Sequence, residues 1–428
     1  MRNSQEYAMH MDDTDPLRSF REEFIIPSGN DGEIIYLCGN SLGLQPKSVR
    51  AEINKELDKW GNHGVNGHFK SVDPWISYHL TLKKAMSAVV GAKDSEIAIM
   101  NTLTVNIHLL LVSFYNPVGK KKKIIVEKGL FPSDRYALFS HAKFRGIDPK
   151  KILIELTPRP GESTLRTDDI VKAIEENKEE TALIFMGGVN YYTGQVFNLK
   201  SITNAGHKAG AIVGFDLAHA AGNVELNLHD DNIDFAVWCT YKYLNSGPGG
   251  IGAAYIHERH GNNHGLERLA GWWGVDISSR FLMENEFIPA AGAEGWALST
   301  SPIMLMAPLR ASLELFTNAG MKSITQKSIL LTAFLENILN EIAGKWKDAG
   351  LEVITPKDRG AQLSIVFSQN GKIIFNNLIE RGVLADWREP TVIRLAPVPL
   401  YNTFMEVFKT GQILTQVLEN LFANEERA

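Results

Sequence analysis

Cysteine is scarce: only Cys38 and Cys239 occur in 428 residues. That excludes a disulfide-stapled secreted scaffold. Two thiols set among apolar neighbours read as buried and reduced, which fits a reducing cytoplasm. Long apolar runs are missing too. The longest, residues 107–114, falls far short of the roughly 20 residues that a membrane-spanning helix needs. Charge of one sign is not in excess. A net charge of −5 leaves no electrostatic footprint for nucleic acid and no basic helix for a membrane surface. The opening stretch MRNSQEYAMHMDDTDP is polar and acidic and has no apolar signal-peptide core. Repeats and low-complexity linkers are absent. What remains is a globular composition, 44% hydrophobic and 22% charged, in a chain long enough for two domains or one large α/β domain with an appendage.

Helical and strand-like patterns alternate through the middle of the chain, which predicts an α/β fold with a largely parallel sheet. Helical periodicity runs over 47–60 and 75–90. Short β-branched runs bounded by Gly, Asn and Asp follow at 97–100, 123–127, 151–156, 182–187, 212–216, 235–240 and 252–256, and these suit buried strands. A long helix is predicted over 304–316. The remainder reads as a smaller α+β unit, with strands at 351–354, 363–368, 383–386 and 392–395 and a last helix over 405–423.

Two residues carry the chemistry. IVGFDLAHAAG places Asp216 at the C-terminal end of a strand, and DFAVWCTYKYLNSGPGGIG places Lys242 just beyond the end of the next. Open α/β sheets bind ligands at such strand ends. A lysine that bonds covalently to a carbonyl needs rigid support and partial desolvation, so that its neutral form is reachable. A carboxylate beside a pyridinium nitrogen keeps that nitrogen charged and makes the ring an electron sink. Either residue alone is as readily a helix cap or a solvated lysine. Together, at successive strand ends, they point to pyridoxal 5′-phosphate (PLP).

The stretch GFDLAHAAGNVELNLHDDNIDFAVWCTYKYLNSGPGGIGAAYIHE is very similar to kynureninases, within the fold-type-I PLP enzymes. YLCGNSLGLQP, NTLTVNIHLLLVSFY, FPSDRYA, GVNYYTGQVFNL, LAGWWG and IRLAPVPLYN extend the resemblance over nearly the whole chain. It implies a large domain, 61–310, with a mainly parallel mixed sheet flanked by helices. A smaller α+β domain would span 311–428, and a segment 1–60 would pack with it. It implies a homodimer with shared sites that splits L-kynurenine into anthranilate and L-alanine. Residue by residue, Lys242 resembles the cofactor-holding lysine, Asp216 the partner of the ring nitrogen, and His219 the neighbour of the phenolic oxygen. Leu103 and Thr104 match phosphate contacts at a helix N-terminus. Phe131 matches the stacking ring, with Pro132, Ser133 and Asp134 around the cofactor. Tyr241 is the expected proton shuttle, and Trp272 a phosphate donor from the neighbouring subunit. Ser41, His68, Ser299, Thr300 and Arg394 match substrate contacts, and Thr300 matches a cofactor contact as well. Arg394 is the candidate for the α-carboxylate, because its planar fork fits one bidentately.

Two positions depart from the family. Gly187 stands where some members carry a serine that touches the cofactor, leaving only the backbone to serve. Thr300 stands where 3-hydroxykynurenine-preferring members carry asparagine, which implies a preference for kynurenine. Other motifs carry less. GPGGIG (247–252) spells a dinucleotide fingerprint but precedes a strand-like run, not a helix. His257, His260 and His264 lack metal-site spacing and read as a polar surface loop; no metal is expected. GKKKK solvates the entry to a strand. The rivals are a cysteine desulfurase or class-V aminotransferase on the same fold, and a PLP-binding regulator without turnover. Neither Cys38 nor Cys239 is placed as a desulfurase nucleophile requires, and an intact Lys242, Asp216 and Tyr241 argue for turnover.

Overall fold

The computed structural model describes residues 3–29, 32–263 and 265–422. Its centre is a seven-stranded sheet: β1 (Ile97–Ile99), β2 (Lys123–Glu127), β3 (Leu153–Leu156), β4 (Thr181–Gly187), β5 (Ile212–Asp216), β6 (Phe235–Cys239) and β7 (Gly252–Ile256), in the order β1-β7-β6-β5-β4-β2-β3. Only β7 runs against its neighbours; the pairings β2 with β3, β2 with β4, β4 with β5 and β5 with β6 are all parallel. Central strands buried on both faces need continuous apolar runs. Phe235–Cys239 and Gly252–Ile256 are buried at every position. The structure therefore bears out a mainly parallel mixed sheet covered by helices, and GPGGIG does lead into a strand.

The parallel strands end together on one edge, and helix N-termini meet them there. The apolar run at 107–114 forms most of the helix Leu103–Phe114, whose buried residues include Ile107, Leu110, Leu111 and Phe114. It is apolar on most sides because it lies between the sheet and the segment carrying Trp296. Helix Ile303–Ala319 ends at Gly320, whose φ of +73° turns the chain directly into a 25-residue helix, Met321–Lys345. A side chain at Gly320 would be strained in that left-handed conformation.

Beyond this, an antiparallel sheet is built from Glu352–Val353, Leu363–Val366, Val392–Leu395 and Asp386–Arg388 in that spatial order. The helix expected over 405–423 is Phe404–Phe422; Ala423 lies outside the described residues. Ile35–Tyr36 pairs in parallel with Val383–Leu384, and Cys38 bridges to Ala396. Ala8, Ile35 and Leu37 share an apolar cluster with Leu335, Leu395 and Leu418. Among the described residues, no helix is long and apolar enough to cross a membrane.

Candidate active site

A cavity of about 330 Å³ opens at the C-terminal edge of the parallel strands. Each wall has a sequence cause. Strands β2, β4 and β5 end in Glu127, Gly187 and Asp216, which line it. Beyond β6, a tight turn raises Tyr241 and Lys242 into it. Ser246 N–H donates to the Thr240 carbonyl at 3.1 Å and Asn245 N–H to that of Lys242 at 3.0 Å, with Asn245 at φ +50°. The GNSLG stretch braces this turn from outside. Gly43 N–H donates to the Tyr241 carbonyl at 2.8 Å, and a Cβ on Gly43 would stand 2.3 Å from the Lys242 carbonyl oxygen. Only glycine permits that approach, and it brings Asn40 and Ser41 to the cavity.

Lys242 Nζ lies 3.1 Å from His219 Nε2 and 5.9 Å from the centre of the Phe131 ring. Asp216 accepts the Ala218 N–H at 2.7 Å and hydrogen-bonds to Asp134. Burial raises the pKa of both acids; Asp216 raises Asp134 further, while Lys242 restrains Asp216. The balance of these causes favours the proton on Asp134 and the negative charge on Asp216. Burial and the Lys242 charge keep His219 neutral, with a pKa well below the usual imidazole range. Burial, and then neighbouring Cys239, raises the Tyr241 phenol, so it remains a proton donor at neutral pH.

Two helices point their first turns at the same space. Leu103–Phe114 starts beneath Thr102, whose side chain makes no cap bond, and Pro132–Phe144 starts beneath Phe131, which makes none either. Thr104 and Ser133 join the two turns through a 2.7 Å hydroxyl contact. Uncapped N–H groups and aligned peptide dipoles form an anion cradle. A phosphorylated pyridine fits this geometry. The cradle meets the phosphate, Phe131 offers a ring face, Asp216 a carboxylate, and Lys242 an amine. Among the described residues, His219 Nδ1 and Asp134 Oδ1 are buried with no partner, as expected of atoms that await a ligand.

The predicted residues divide into two groups. Ser41, Leu103, Thr104, Phe131, Ser133, Asp134, Gly187, Asp216, His219, Tyr241 and Lys242 all line the cavity. Pro132 does not; it opens its helix and is exposed. The Gly187 N–H is not free for a ligand, because it donates to Glu127 Oε1 at 3.1 Å. Arg394 stands just behind the wall, fully buried. It is the direct cross-strand partner of Asp386, with Nη2 2.7 Å from Asp386 Oδ1 and 3.2 Å from Ser41 Oγ, and Nη1 2.8 Å from the Tyr191 carbonyl. The arginine that lines the cavity is Arg388, 3.3 Å from the same Asp386 oxygen. Two guanidiniums share one carboxylate, which leaves a surplus positive charge at this end.

The remaining predicted residues gather elsewhere. Trp272 N–H donates to the Arg280 carbonyl at 2.8 Å, and its ring meets Phe281 at 5.4 Å. Phe281 meets Phe69 at 5.9 Å, and Phe69 meets His68 at 5.9 Å. The backbone N–H of Trp273 donates to the Leu298 carbonyl at 3.2 Å, which brings exposed Ser299 and Thr300 beside Trp272. Phe69, Trp272, Phe281, Leu282 and Met283 are all substantially exposed. None of these residues lines this chain's own cavity.

Glu127, Tyr191, Asn40 and Arg388 also form the site and were not picked out from sequence. Glu127 left a signal: a lone acid closing the apolar strand KIIVE at the ligand-binding edge. The surface-loop reading of the histidines is corrected. His257 is buried and caps a short helix, 3.8 Å from Glu96, while His260 sits 2.7 Å from Asp234. His264 lies outside the described residues. Glu96, His229 and His257 bring ligand atoms within 4.8 Å of one another. The Glu96 oxygens already accept from the Lys93 and Glu258 N–H groups, and His257 Nδ1 from the Arg259 N–H. Both thiols are buried, Cys38 with its pKa pushed up to about 12, the reverse of an activated nucleophile.

Residues 324–414 match the family described as the kynureninase C-terminal domain. A kynureninase of Flavobacterium johnsoniae is 49% identical over 96% of this chain and 97% of its own length. One from Nematostella vectensis is 46% identical over 98% of this chain and 95% of its own. Among solved structures, the Escherichia coli cysteine desulfurase CsdA superposes with a TM-score of 0.76 at 18% identity, covering 94% of this chain and 98% of that one. At that identity the likeness concerns the fold alone.

Proposed function

The chain belongs to the kynureninase family, and from that premise we propose how its own residues divide the work. The enzyme is a PLP-dependent hydrolase of a carbon–carbon bond; it cleaves L-kynurenine between Cβ and Cγ, giving anthranilate and L-alanine. Bound PLP supplies an electron sink for negative charge that develops on the substrate carbons.

Lys242 is the amine that would hold the cofactor, and it would move the proton at the substrate Cα. His219, neutral and 3.1 Å away, accepts a hydrogen bond from that amine. Asp216 holds the ring nitrogen protonated, and the proton on Asp134 keeps the pair at one negative charge. The two helix N-termini with Thr104 and Ser133 bind phosphate, and Phe131 stacks on the ring. Tyr241 moves protons at the β-carbon and at the γ-carbonyl oxygen when water adds there. Arg394 and Arg388 bind the α-carboxylate, and Asp386 occupies their forks until it arrives. The observation that carries this reading is one cavity that joins Lys242 and Asp216 to two uncapped helix N-termini. Purified protein mixed with L-kynurenine should release anthranilate fluorescence as the cofactor absorbance changes; no anthranilate would defeat the reading.

His68, Trp272, Ser299 and Thr300 act in the partner's site. Their common exposed aromatic surface supports this, since an apolar patch of that kind marks an interface, and two-fold symmetry would set each patch beside the other chain's cavity. The division into 1–60, 61–310 and 311–428 is likewise our reading; Ile35 and Leu37, in one cluster with the C-terminal helices, support the pairing of the first and last parts. Two buried free thiols suit the cytoplasm.

A further inference from the structure

Glu127 takes part in none of these proton transfers or binding contacts. It ends β2, is buried, and lines the cavity. Its Oε1 accepts the Gly187 N–H at 3.1 Å, whereas Oε2 is buried with no partner among the described residues. A Cβ on residue 187 would stand 3.1 Å from Oε1, so glycine there lets the carboxyl fold against β4. An unpaired buried carboxylate is costly, and a neutral carboxylic acid is the form that such a place favours. Charged and titratable groups reach it from neighbouring elements: Asp216 on β5, Asp134 on the helix Pro132–Phe144 and Tyr191 beyond β4 interact with it, and Lys242 on its turn lines the same cavity. Burial outweighs the hydrogen bonds from its own backbone N–H and that of Gly187 and, with a smaller push from the Asp216 charge, raises the Glu127 pKa to about 7. With Tyr191, Glu127 also borders a second cavity of about 260 Å³ that includes Asn190, Thr193 and Gln195.

We propose that Glu127 is a further positioning residue for the cofactor, a neutral acid that donates a hydrogen bond from its second oxygen to the ring's phenolic oxygen. The phosphate is already met by Leu103, Thr104 and Ser133, and the ring nitrogen by Asp216. The phenolic oxygen is the remaining anionic atom on the ring, and Glu127 lines the same cavity as His219, the residue whose match in the family neighbours that oxygen. Ionised, Glu127 has no proton to give and repels that oxygen. This rests on the PLP reading.

The test is equilibrium binding of PLP to the apoprotein, read by fluorescence quenching, for the unaltered chain and Glu127→Gln. Glutamine keeps both an acceptor for Gly187 and a donor. The ratio of dissociation constants, unaltered over variant, should rise about tenfold from pH 6 to pH 8.5, the value of a hydrogen bond to a charged group at the low end. With the PLP analogue that lacks the ring hydroxyl, the ratio should stay flat. A constant ratio for PLP would overturn the proposal. An equal rise with the analogue would overturn it as well. If Glu127→Gln does not fold, the two ligands on the unaltered chain decide the matter: parallel pH profiles refute it and divergent ones support it. Failure of the unaltered protein to bind PLP at any pH would instead bring down the cofactor reading beneath it.

Discussion

Arg394→Met separates a structural arginine from a substrate-binding one. Arg394 is fully buried and holds Asp386, Ser41 and the Tyr191 carbonyl. Removing one partner of a buried ion pair costs about 3–5 kcal/mol, because the other is left uncompensated. Arg388 at 3.3 Å shares the Asp386 charge and should hold the loss near the lower figure. In urea the midpoint should fall with an unchanged slope. For catalysis, a carboxylate gripped by two charge-assisted hydrogen bonds at about 1.5–3 kcal/mol each loses about 3–6 kcal/mol. That is a fall of about 10² to 10⁴ in kcat/KM, mostly in KM, since the carboxylate takes no part in bond cleavage. The second change is Asp386→Leu. An apolar pair often replaces a buried ion pair without penalty, so Arg394→Met/Asp386→Leu should regain most of the stability while kcat/KM stays low. The amine analogue of kynurenine that lacks the carboxylate should be turned over equally by all three proteins. If activity returns together with stability, or if the analogue suffers the same loss, Arg394 serves the fold alone. If Arg388→Met reproduces the KM effect and Arg394→Met does not, the carboxylate belongs to Arg388.

Asp216→Asn should keep the fold yet lower kcat by several tenfold steps, each about 1.4 kcal/mol; a loss under about tenfold, measured at PLP saturation, would make Asp134 the ring partner. Lys242→Ala and Trp272→Ala protomers should each be nearly inactive alone and regain activity on mixing, because one shared site then has both groups intact; a fully active monomer in sedimentation at assay concentration would refute the shared site. Kynurenine should be preferred to 3-hydroxykynurenine by roughly tenfold in kcat/KM, the cost of one unmade buried hydrogen bond of about 1–3 kcal/mol. Thr300→Asn should shift the ratio toward the hydroxylated substrate; an unmoved ratio clears Thr300 of the role.

The strands were legible where burial on both faces forces unbroken β-branched runs: 212–216 and 252–256 agree with the structure to the residue. Lys242 and Asp216 were legible because a strand end is a position that the one-dimensional pattern reveals. Arg388 was not. It is the last residue of the short edge strand Asp386–Arg388, and nothing local distinguishes a surface arginine from one folded against a cavity. Nor was the helix Met321–Lys345 singled out, since its buried face is defined by Phe404, Leu414 and Leu418 on a helix far along the chain. Gly187 was read as leaving its backbone to the cofactor, whereas a carboxylate 60 positions earlier takes that N–H. Long-range pairing of this kind leaves no periodicity to read. The histidines failed for a related reason: IHERHGNNH has the composition of a loop, and only the approach of Asp234 and Glu96 draws two of them inward.

Two buried thiols also make the protein its own reporter of breathing. Cys38 lies where the N-terminal segment bridges to Ala396, next to the strand of Arg394, and Cys239 sits on β6 three residues before Lys242. Neither meets a labelling reagent in the closed state, so the rate at which each reacts measures how often its neighbourhood opens. With only two signals in the whole chain, each is assignable without further mutation. A ligand gripped by its carboxylate should slow reaction at Cys38, and one held through the lysine turn should slow it at Cys239, so the two ends of the site can be timed separately in the unmodified enzyme.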